Sequence, residues 1–156
     1  MSTSLPPALG FHVLPGLPMI NAGDDLADLL LAAIDRAGLA PEDGDVLVLA
    51  QKIVSKAEGR LVPLASVTPG ERAVELARAT DKDPRLVQLI LDESTEVMRT
   101  RPGVMIVRHR LGNVGAHAGI DQSNVDHAGG ECALLLPEDP DASAAALRAA
   151  IEARTG

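Results

Sequence analysis

The amino-acid sequence predicts one α+β domain in which helices flank a mixed or antiparallel sheet. Several segments repeat apolar residues at helical spacing, and short apolar runs between turn residues indicate strands. These helices and strands do not alternate in the regular βαβ order of a doubly wound sheet. With 156 residues, of which 46% are hydrophobic, the chain is long enough for one ordinary core. Residues 1–10 are predicted to be a flexible arm, and residues 11–156 the single domain.

The first part of the domain is predicted to hold two strands and a helix. Residues 11–15 are a short strand candidate, followed by a loop rich in glycine and proline. Asp24 begins a helix whose leucine-rich stripe ends at Gly38, a residue type common just after helices. The continuous apolar run at residues 46–50 is bounded by turn residues, which is typical of a strand buried on both faces.

The second part is predicted to be richer in helices. Proline follows Asp83 at the first turn of one helix, where it is well placed. Glu93 and Glu96 fall near the end of that helix, where the helix dipole disfavours acidic groups, and we interpret them as a solvated face. Residues 97–103 are predicted to turn and residues 112–119 to be extended. The other predicted elements are helices beginning near residues 71 and 139, and strands at residues 104–107 and 133–137.

Composition argues against several classes of partner. The chain has 22 acidic and 14 basic residues, a formal charge of −8, and no cationic run that would follow a phosphate backbone. It has one Phe and no Tyr or Trp, so the stacking platforms used on single-stranded nucleic acid are missing. No apolar run is long enough to span a membrane, and no signal-peptide pattern begins the chain. The single cysteine, Cys132, has no disulfide partner in the chain, which fits a cytoplasmic location.

The fingerprints of several common enzyme classes are absent from the sequence. There is no GxxxxGK[ST] phosphate loop, no GxGxxG dinucleotide loop, no GxSxG elbow and no CxxC pair. The histidines at positions 109, 117 and 127 and Cys132 fit no familiar structural zinc spacing. We therefore interpret these four side chains as incidental and not as zinc ligands.

The densest group of functional side chains lies in residues 112–127, which include Asp121, Asn124 and several glycines. The run from Asp121 resembles the start of a calcium loop, but Asp126 stands where an EF-hand needs glycine, so an EF-hand is excluded. Two interpretations stay open. The first is a turn held by Asx hydrogen bonds, which the residues alone favour. The second is a site for Mg²⁺ or Mn²⁺, because these ions need only one or two carboxylates together with phosphate oxygens and water.

A second group of polar side chains follows the apolar run at residues 46–50. Lys56 is the best candidate for a phosphate contact in this group, because it follows a predicted buried strand at the edge of a sheet. A solvated lysine is the alternative interpretation for any single lysine. The residues by themselves therefore predict a metal and phosphate site only as one of two possibilities.

Six ordered segments together resemble the coenzyme F-420-0:gamma-glutamyl ligase family. The resemblance extends from about residue 11 to residue 154, so it covers nearly the whole chain. The segments are residues 16–26, 43–48, 53–60, 82–87, 113–125 and 135–141, with sequences such as GLPMI, IVSKAEGR, KDPRLV and GIDQSNV. The resemblance implies an unusual two-part α+β fold that forms intertwined homodimers.

The resemblance also implies the positions of the functional residues. Lys56 and Asp121 are expected to be catalytic, and Asp121 is expected to bind Mg²⁺ or Mn²⁺. The expected contacts to GTP are Leu17, Pro18, Met19, Ile20, Gln51, Lys52, Lys56 and Asn124.

The reaction that the resemblance implies adds L-glutamate to the precursor of a deazaflavin coenzyme. GTP phosphorylates a carboxylate of the precursor, and the amine of L-glutamate attacks the resulting acyl phosphate to form an amide. No protein nucleophile is needed, which agrees with the absence of a Ser/His or Cys/His arrangement. His117 and His127 are interpreted first as ordinary polar packing residues, and the alternative for each is a proton acceptor or a contact to the substrate.

The sequence departs from the family pattern in one respect. Family members continue into a segment with a further Asp-Thr pair for metal and a glycine-rich nucleotide stretch, which residues 1–156 do not contain. The expectation is therefore the amino-terminal part of the ligase, with a second chain as one source of the remaining segment. The alternatives are a non-catalytic module that binds nucleotide or deazaflavin, and a structural fragment that only dimerises.

Overall fold

The computed structural model of the chain describes residues 9–122 and 130–155. Nearly all of the predicted arm, together with Asn124, Asp126 and His127, lies outside the described residues. The described helices are α1 (Leu26–Arg36), α2 (Gln51–Ala57), α3 (Glu71–Thr80), α4 (Pro84–Asp92) and α5 (Pro140–Thr155). The described strands are β1 (Leu61–Pro63), β2 (Ser94–Arg101), β3 (Val104–His109), β4 (Val114–Ala116) and β5 (Cys132–Leu134).

Two antiparallel sheets carry these strands, which confirms the predicted α+β class. Strands β2, β3 and β4 form one sheet in that order, and β1 pairs with β5 in the other. A short single-turn helix of 3-10 type, His117–Gly119, leads from β4 toward the second sheet. The next residues reach β5 through a bridge between Asp121 and Leu134, so the two sheets are joined at this point.

The main core lies between α3 and α4 on one side and the three-stranded sheet on the other. Helix residues Ala73, Val87 and Ile90 are buried against Met105 and Val107 of β3. Buried and less buried residues alternate along β3, so only one of its faces contacts the core. The strand predicted at residues 104–107 is therefore confirmed, but it is covered on one face.

The helix boundaries predicted from capping residues agree closely with the structure. Asp25, next to the predicted Asp24, caps α1 by accepting a hydrogen bond from the backbone N–H of Asp28 at 3.1 Å. Gly38 adopts a left-handed φ of 68° just beyond the end of α1. Asp83 caps α4 by accepting from the Arg85 N–H at 2.7 Å, with proline at the first helical position.

Helix α5 is attached to α1 through charged side chains. Arg154 donates hydrogen bonds to both carboxylate oxygens of Asp25, at 2.9 and 2.8 Å, and pairs with Asp28 at 3.1 Å. The hydrogen bonds from Arg154 are the main cause that lowers the pKa of Asp25 to about 2. The final helix is thus where the sequence predicted it, and ionic contacts contribute to its attachment.

Two predicted strands are absent from the structure. Residues 11–15 and 46–50 form no strand, and Phe11, Val13, Val46 and Val48 are between 84% and 88% exposed. The prediction of a strand at residues 46–50 buried on both faces was therefore wrong for this chain. A strand requires a partner for its backbone groups and cover for its side chains, and the described residues supply neither to these segments.

Three further predictions need correction. Residues 51–57, predicted to follow a strand end, form α2, because the segment contains only good or neutral helix formers and ends before Gly59. Residues 97–103, predicted as a turn, mostly belong to β2, because their backbone groups pair antiparallel with β3 as far as Arg101, and only residues 102 and 103 form the turn. Only residues 114–116 of the predicted extended segment form a strand.

Among the described residues, no helix combines the length and the apolar character needed to cross a membrane.

Candidate functional site

Helix α2 and the loop that precedes α1 lie against each other. The ammonium group of Lys56 donates to the sulfur of Met19 at 3.6 Å, and the backbone N–H of Gly23 donates to the Ala57 carbonyl at 2.8 Å. Ile20 is buried and anchors the loop, whereas Pro18 and Met19 are exposed and Leu17 is half-buried. The structure therefore brings the predicted loop and the predicted lysine together, with the loop's outer residues open to solvent.

Asp121 also contacts α2. Lys52 forms an ion pair with the Asp121 carboxylate, and both side chains are partly open to solvent. Lys52 and Lys56 are four residues apart, which places them on the same face of the helix. Two ammonium groups and one carboxylate, all predicted as site residues, are thus brought to one region of the surface.

The backbone of Asp121 is held by the second sheet. Its N–H donates to the Leu134 carbonyl at 3.0 Å, and the Leu134 N–H donates to the Asp121 carbonyl at 2.8 Å. These two bonds make Asp121 an additional partner of β5. The position of the carboxylate is therefore set by a strand, not by a free loop.

An unusual turn leads into Asp121. His117, Ala118 and Gly119 all have positive φ values, of 54°, 54° and 69°, which form a single left-handed turn. Such a conformation costs roughly 1–2 kcal/mol for each residue with a Cβ. Ala118 is only 1% exposed in the main core, and a Cβ on Gly119 would come within 3.0 Å of the Leu136 side chain. Core packing thus stabilises the turn and directs the chain toward β5.

Gln51 uses its side chain within the protein. Its amide Nε2 donates to the Ser55 hydroxyl at 2.5 Å and lies 3.4 Å from the Leu135 carbonyl. The contact with the fully buried Ser55 lies within α2, and the contact with Leu135 holds the first turn of α2 against the segment after β5. The structure places Gln51 next to the predicted site, in an anchoring position.

A buried ionic cluster was missed at the level of sequence. Glu93, predicted to lie on a solvated face, is 9% exposed and accepts from Arg60 at 2.9 Å, Arg110 at 3.2 Å and His109 at 3.2 Å. Arg60 also donates to the Leu136 carbonyl at 2.9 Å. The cluster therefore ties the chain after α2 to the segment after β5. Its one sequence signal was an acidic residue at a helix end that the dipole disfavours. Glu96 is exposed, as predicted.

His109 is neutral in this cluster. Its Nδ1 accepts from the Leu111 backbone N–H at 3.0 Å, so the proton lies on Nε2, which donates to the Glu93 carboxylate. Burial is the main cause that lowers the pKa of His109, while the Glu93 charge opposes the shift. The residue acts as a connector inside the fold.

The remaining zinc candidates do not form a cluster among the described residues. Burial lowers the pKa of His117, whose buried Nε2 has no hydrogen-bond partner within the described part of the chain. Cys132 is a buried free thiol on β5. Residues 9–122 and 130–155 contain no group of three or more His, Cys, Asp or Glu side chains placed to hold a metal ion. His127 lies outside the described residues.

The donor set near Asp121 suits a hard divalent cation in one arrangement only. A single carboxylate does not form a cage, but Mg²⁺ is commonly bound through one or two carboxylates together with water and phosphate oxygens. The Lys52 ammonium already lies against Asp121, which shows that the carboxylate has access to a cation. The described residues therefore fit a metal that arrives with a phosphate ligand. They do not fit a metal held by protein side chains alone.

Several curated proteins are similar to this chain. A "Coenzyme F420:L-glutamate ligase" of Methanothermobacter thermautotrophicus is 43% identical over 141 residues, which cover 90% of this chain and 55% of that protein. Proteins of the same name from Halobacterium salinarum and Archaeoglobus fulgidus are 47% identical over 147 residues and 46% identical over 142 residues. These matches also cover 90% of this chain, but 54% and 53% of the relatives.

The chain thus spans about half the length of the curated relatives that it matches. The family described as F420-0:Gamma-glutamyl ligase matches residues 16–156, which include the loop, α2 and Asp121. This match covers far more than half of the sequence, and it agrees with the resemblance carried by the six segments. The chain therefore belongs to the F420-0:gamma-glutamyl ligase family.

Proposed function

We propose that the chain is the nucleotide-binding part of a GTP-dependent ligase that joins L-glutamate to the deazaflavin coenzyme F-420-0 precursor. The observation that carries the proposal is the convergence of Lys52, Lys56 and Asp121 beside the Met19 loop. Two ammonium groups next to one carboxylate suit a triphosphate that binds with a divalent ion. The names of the relatives supply the class of reaction.

The chemistry of this reaction suits a site without a nucleophile. The γ-phosphoryl group of GTP is transferred to a carboxylate oxygen of the precursor, which gives an acyl phosphate and GDP. The glutamate amine then attacks the acyl carbon, a C–N bond forms, the C–O bond to phosphate breaks, and the amine proton is lost to solvent. Positioning and neutralisation of charge are the main demands of phosphoryl transfer.

The proposed roles follow from the positions of the side chains. Lys56 contacts the transferring phosphoryl group, and Lys52 moves from Asp121 to the phosphates when the nucleotide binds. Asp121 would hold Mg²⁺ or Mn²⁺, and this ion would supply further neutralisation of the charge on the phosphates. The loop at residues 17–20 positions the nucleotide through its backbone and the exposed Met19, and Asn124 is assigned a nucleotide contact on the resemblance alone.

A second candidate function is binding of nucleotide or deazaflavin without catalysis. The observation in its favour is that the described residues hold no group of three or more His, Cys, Asp or Glu side chains placed to bind a metal ion. In the ligase proposal, a homodimer partner or a second polypeptide completes the site, and the assembly acts in the cytoplasm. Turnover that depends on glutamate distinguishes the two functions, because a binding module hydrolyses no GTP in response to glutamate.

Binding of nucleotide is the first experiment. The midpoint of thermal unfolding is measured with GTP, with Mn²⁺ and with both, for the wild type, Asp121→Ala and Lys56→Met. We expect a rise with GTP and Mn²⁺ together that is lost in both variants, because binding to the folded state alone stabilises it. Asp35→Ala, which removes an exposed acid on α1, is the control and should keep the rise. No rise in the wild type contradicts a nucleotide site in this chain.

A further inference from the structure

Two segments expose apolar side chains without cover from the rest of the described chain. Phe11 and Val13 are 88% and 86% exposed, and Val46 and Val48 are 84% and 85% exposed. Scattered apolar residues are normal on protein surfaces, but runs of them usually mark sites of interaction. We call residues 9–15 and 45–50 the two bare segments.

The sequence and the structure disagree at these segments in an informative way. The apolar run at residues 46–50 has the composition of a strand buried on both faces, yet nearly all of its side chains are exposed. Such a run is costly to leave in water. The disagreement indicates that the cover for this strand comes from polypeptide outside the described residues.

The backbone of both bare segments is also suited to a strand partner. Neither segment contains a helix, turn or bend, and neither belongs to the two described sheets. A segment outside helices, turns and sheets can present N–H and C=O groups with which another strand pairs. The occupant expected from this backbone is therefore an added β-strand with apolar side chains, not a helix in a groove.

Both bare segments continue directly into the candidate site. Residues 9–15 lead into the loop that holds Met19, and residues 45–50 lead into the first turn of α2, which carries Lys52. An occupant of the bare segments would therefore lie beside both halves of the proposed nucleotide site. Glu42 and Asp43, just before the second segment, and Asp45, its first residue, favour basic residues in the occupant.

The lengths of the relatives identify the occupant. The matched region is only 53–55% of three relatives, so members of the family carry a second portion of comparable size. We infer that the two bare segments are the docking surface for this unmatched portion of the family polypeptide, which adds strands to them. The inference rests on the proposed function for its site, and it names the partner that completes that site.

The test combines this chain with the unmatched portion of the Methanothermobacter thermautotrophicus relative, made as a separate polypeptide. We expect a stoichiometric complex by size-exclusion chromatography with light scattering. The amide groups of residues 9–15 and 45–50 should become protected from hydrogen exchange in the complex. A complex in which these amides stay unprotected would overturn the inference.

Paired variants show which surface is used. The double variant Val46→Lys, Val48→Lys should weaken the complex at least about tenfold, because it places charges at a buried contact. The matched control is Val104→Lys, Val114→Lys, which changes two valines that are 41% and 50% exposed on β3 and β4 and should bind as the wild type does. Circular dichroism checks that all chains are folded.

The remaining outcomes also decide the question. A homodimer of this chain that the Val46 and Val48 changes dissolve, with no complex with the relative's portion, would assign the surface to a second copy and overturn the inference. A monomer that forms no complex overturns it too. If the wild-type chain forms no complex but GTP and Mn²⁺ still raise its thermal stability, the docking inference is wrong and the nucleotide site stands. If the wild-type chain forms the complex but GTP and Mn²⁺ do not raise its thermal stability, the nucleotide site is wrong and the docking inference stands.

Discussion

Lys52 of α2 forms an ion pair with Asp121, a residue that the backbone of β5 holds in place. The pair joins two parts of the candidate site that are far apart in the sequence. In the ligase proposal this contact has a second role, because the ammonium occupies the position of a cation on Asp121 until nucleotide and metal arrive. The pair is therefore a direct reporter of the site.

A double-mutant cycle on this pair measures its coupling energy. We expect Lys52→Met and Asp121→Asn to be coupled by about 0.5–1 kcal/mol in urea unfolding, since both side chains are partly exposed. The coupling should fall toward zero in 1 M salt, because charges on partly exposed side chains are then screened within about 3 Å. A coupling energy of zero at low salt would contradict the ion pair.

The left-handed turn before Asp121 gives a prediction on stability. Gly119→Ala places a methyl group within 3.0 Å of Leu136 at a φ of 69°, so we expect a loss of about 2–4 kcal/mol from strain and overpacking together. Gly112→Ala is the control, because it has a φ of 92° but no atom within 4 Å of the added Cβ. It should lose only about 1–2 kcal/mol. Equal losses in urea unfolding would show that Leu136 does not restrict the turn.

The Glu93 cluster predicts a large effect for a small change. Glu93→Gln removes the negative charge that pairs with Arg60 and Arg110, and we expect a loss of about 3 kcal/mol because these two partly buried guanidinium groups are left unpaired. Glu96→Gln is a matched control, since Glu96 forms one exposed pair with Arg108. Its effect should stay within about 0.5 kcal/mol. Similar urea midpoints for the two variants would refute the role given to the cluster.

His109 predicts a dependence of stability on pH. Its pKa is lowered in the folded state, so the unfolded chain binds more protons between the folded value and the ordinary value near 6.5. Its contribution to stability is therefore complete above that ordinary value and is lost as the pH falls toward the folded value. His109→Gln should flatten the decline in stability between pH 7 and pH 5, whereas His12→Gln, at an exposed site, should not. Parallel declines for the wild type and His109→Gln would contradict the assignment.

The sequence predicted local elements well where local signals determine them. Asp83 with proline at the first helical position located α4, and the leucine stripe with Gly38 located α1. The apolar run at residues 46–50 was misassigned because its composition indicates only that the segment would be stable as a buried strand. The described chain provides no residues that bury it. Helix α2 was missed because its short, largely polar sequence shows no apolar repeat at helical spacing.

The candidate site was predictable to a smaller extent. Lys56 and Asp121 were named through family resemblance, and their residue types alone left solvated or turn interpretations open. No spacing in the sequence indicates that Lys52 and Asp121 meet, because their contact depends on the left-handed turn and on pairing with β5. Glu93 was assigned to a solvated face because its three partners come from distant parts of the chain.

The most direct test of the central claim is phosphate release from GTP by this chain combined with the unmatched portion of the Methanothermobacter thermautotrophicus relative. The assay contains the F-420-0 precursor and Mn²⁺, with and without L-glutamate, for the wild type and Asp121→Ala. We predict release that requires both precursor and glutamate and that falls at least about a hundredfold in Asp121→Ala. Release that ignores glutamate, or that Asp121→Ala leaves unchanged, would contradict the proposed ligase.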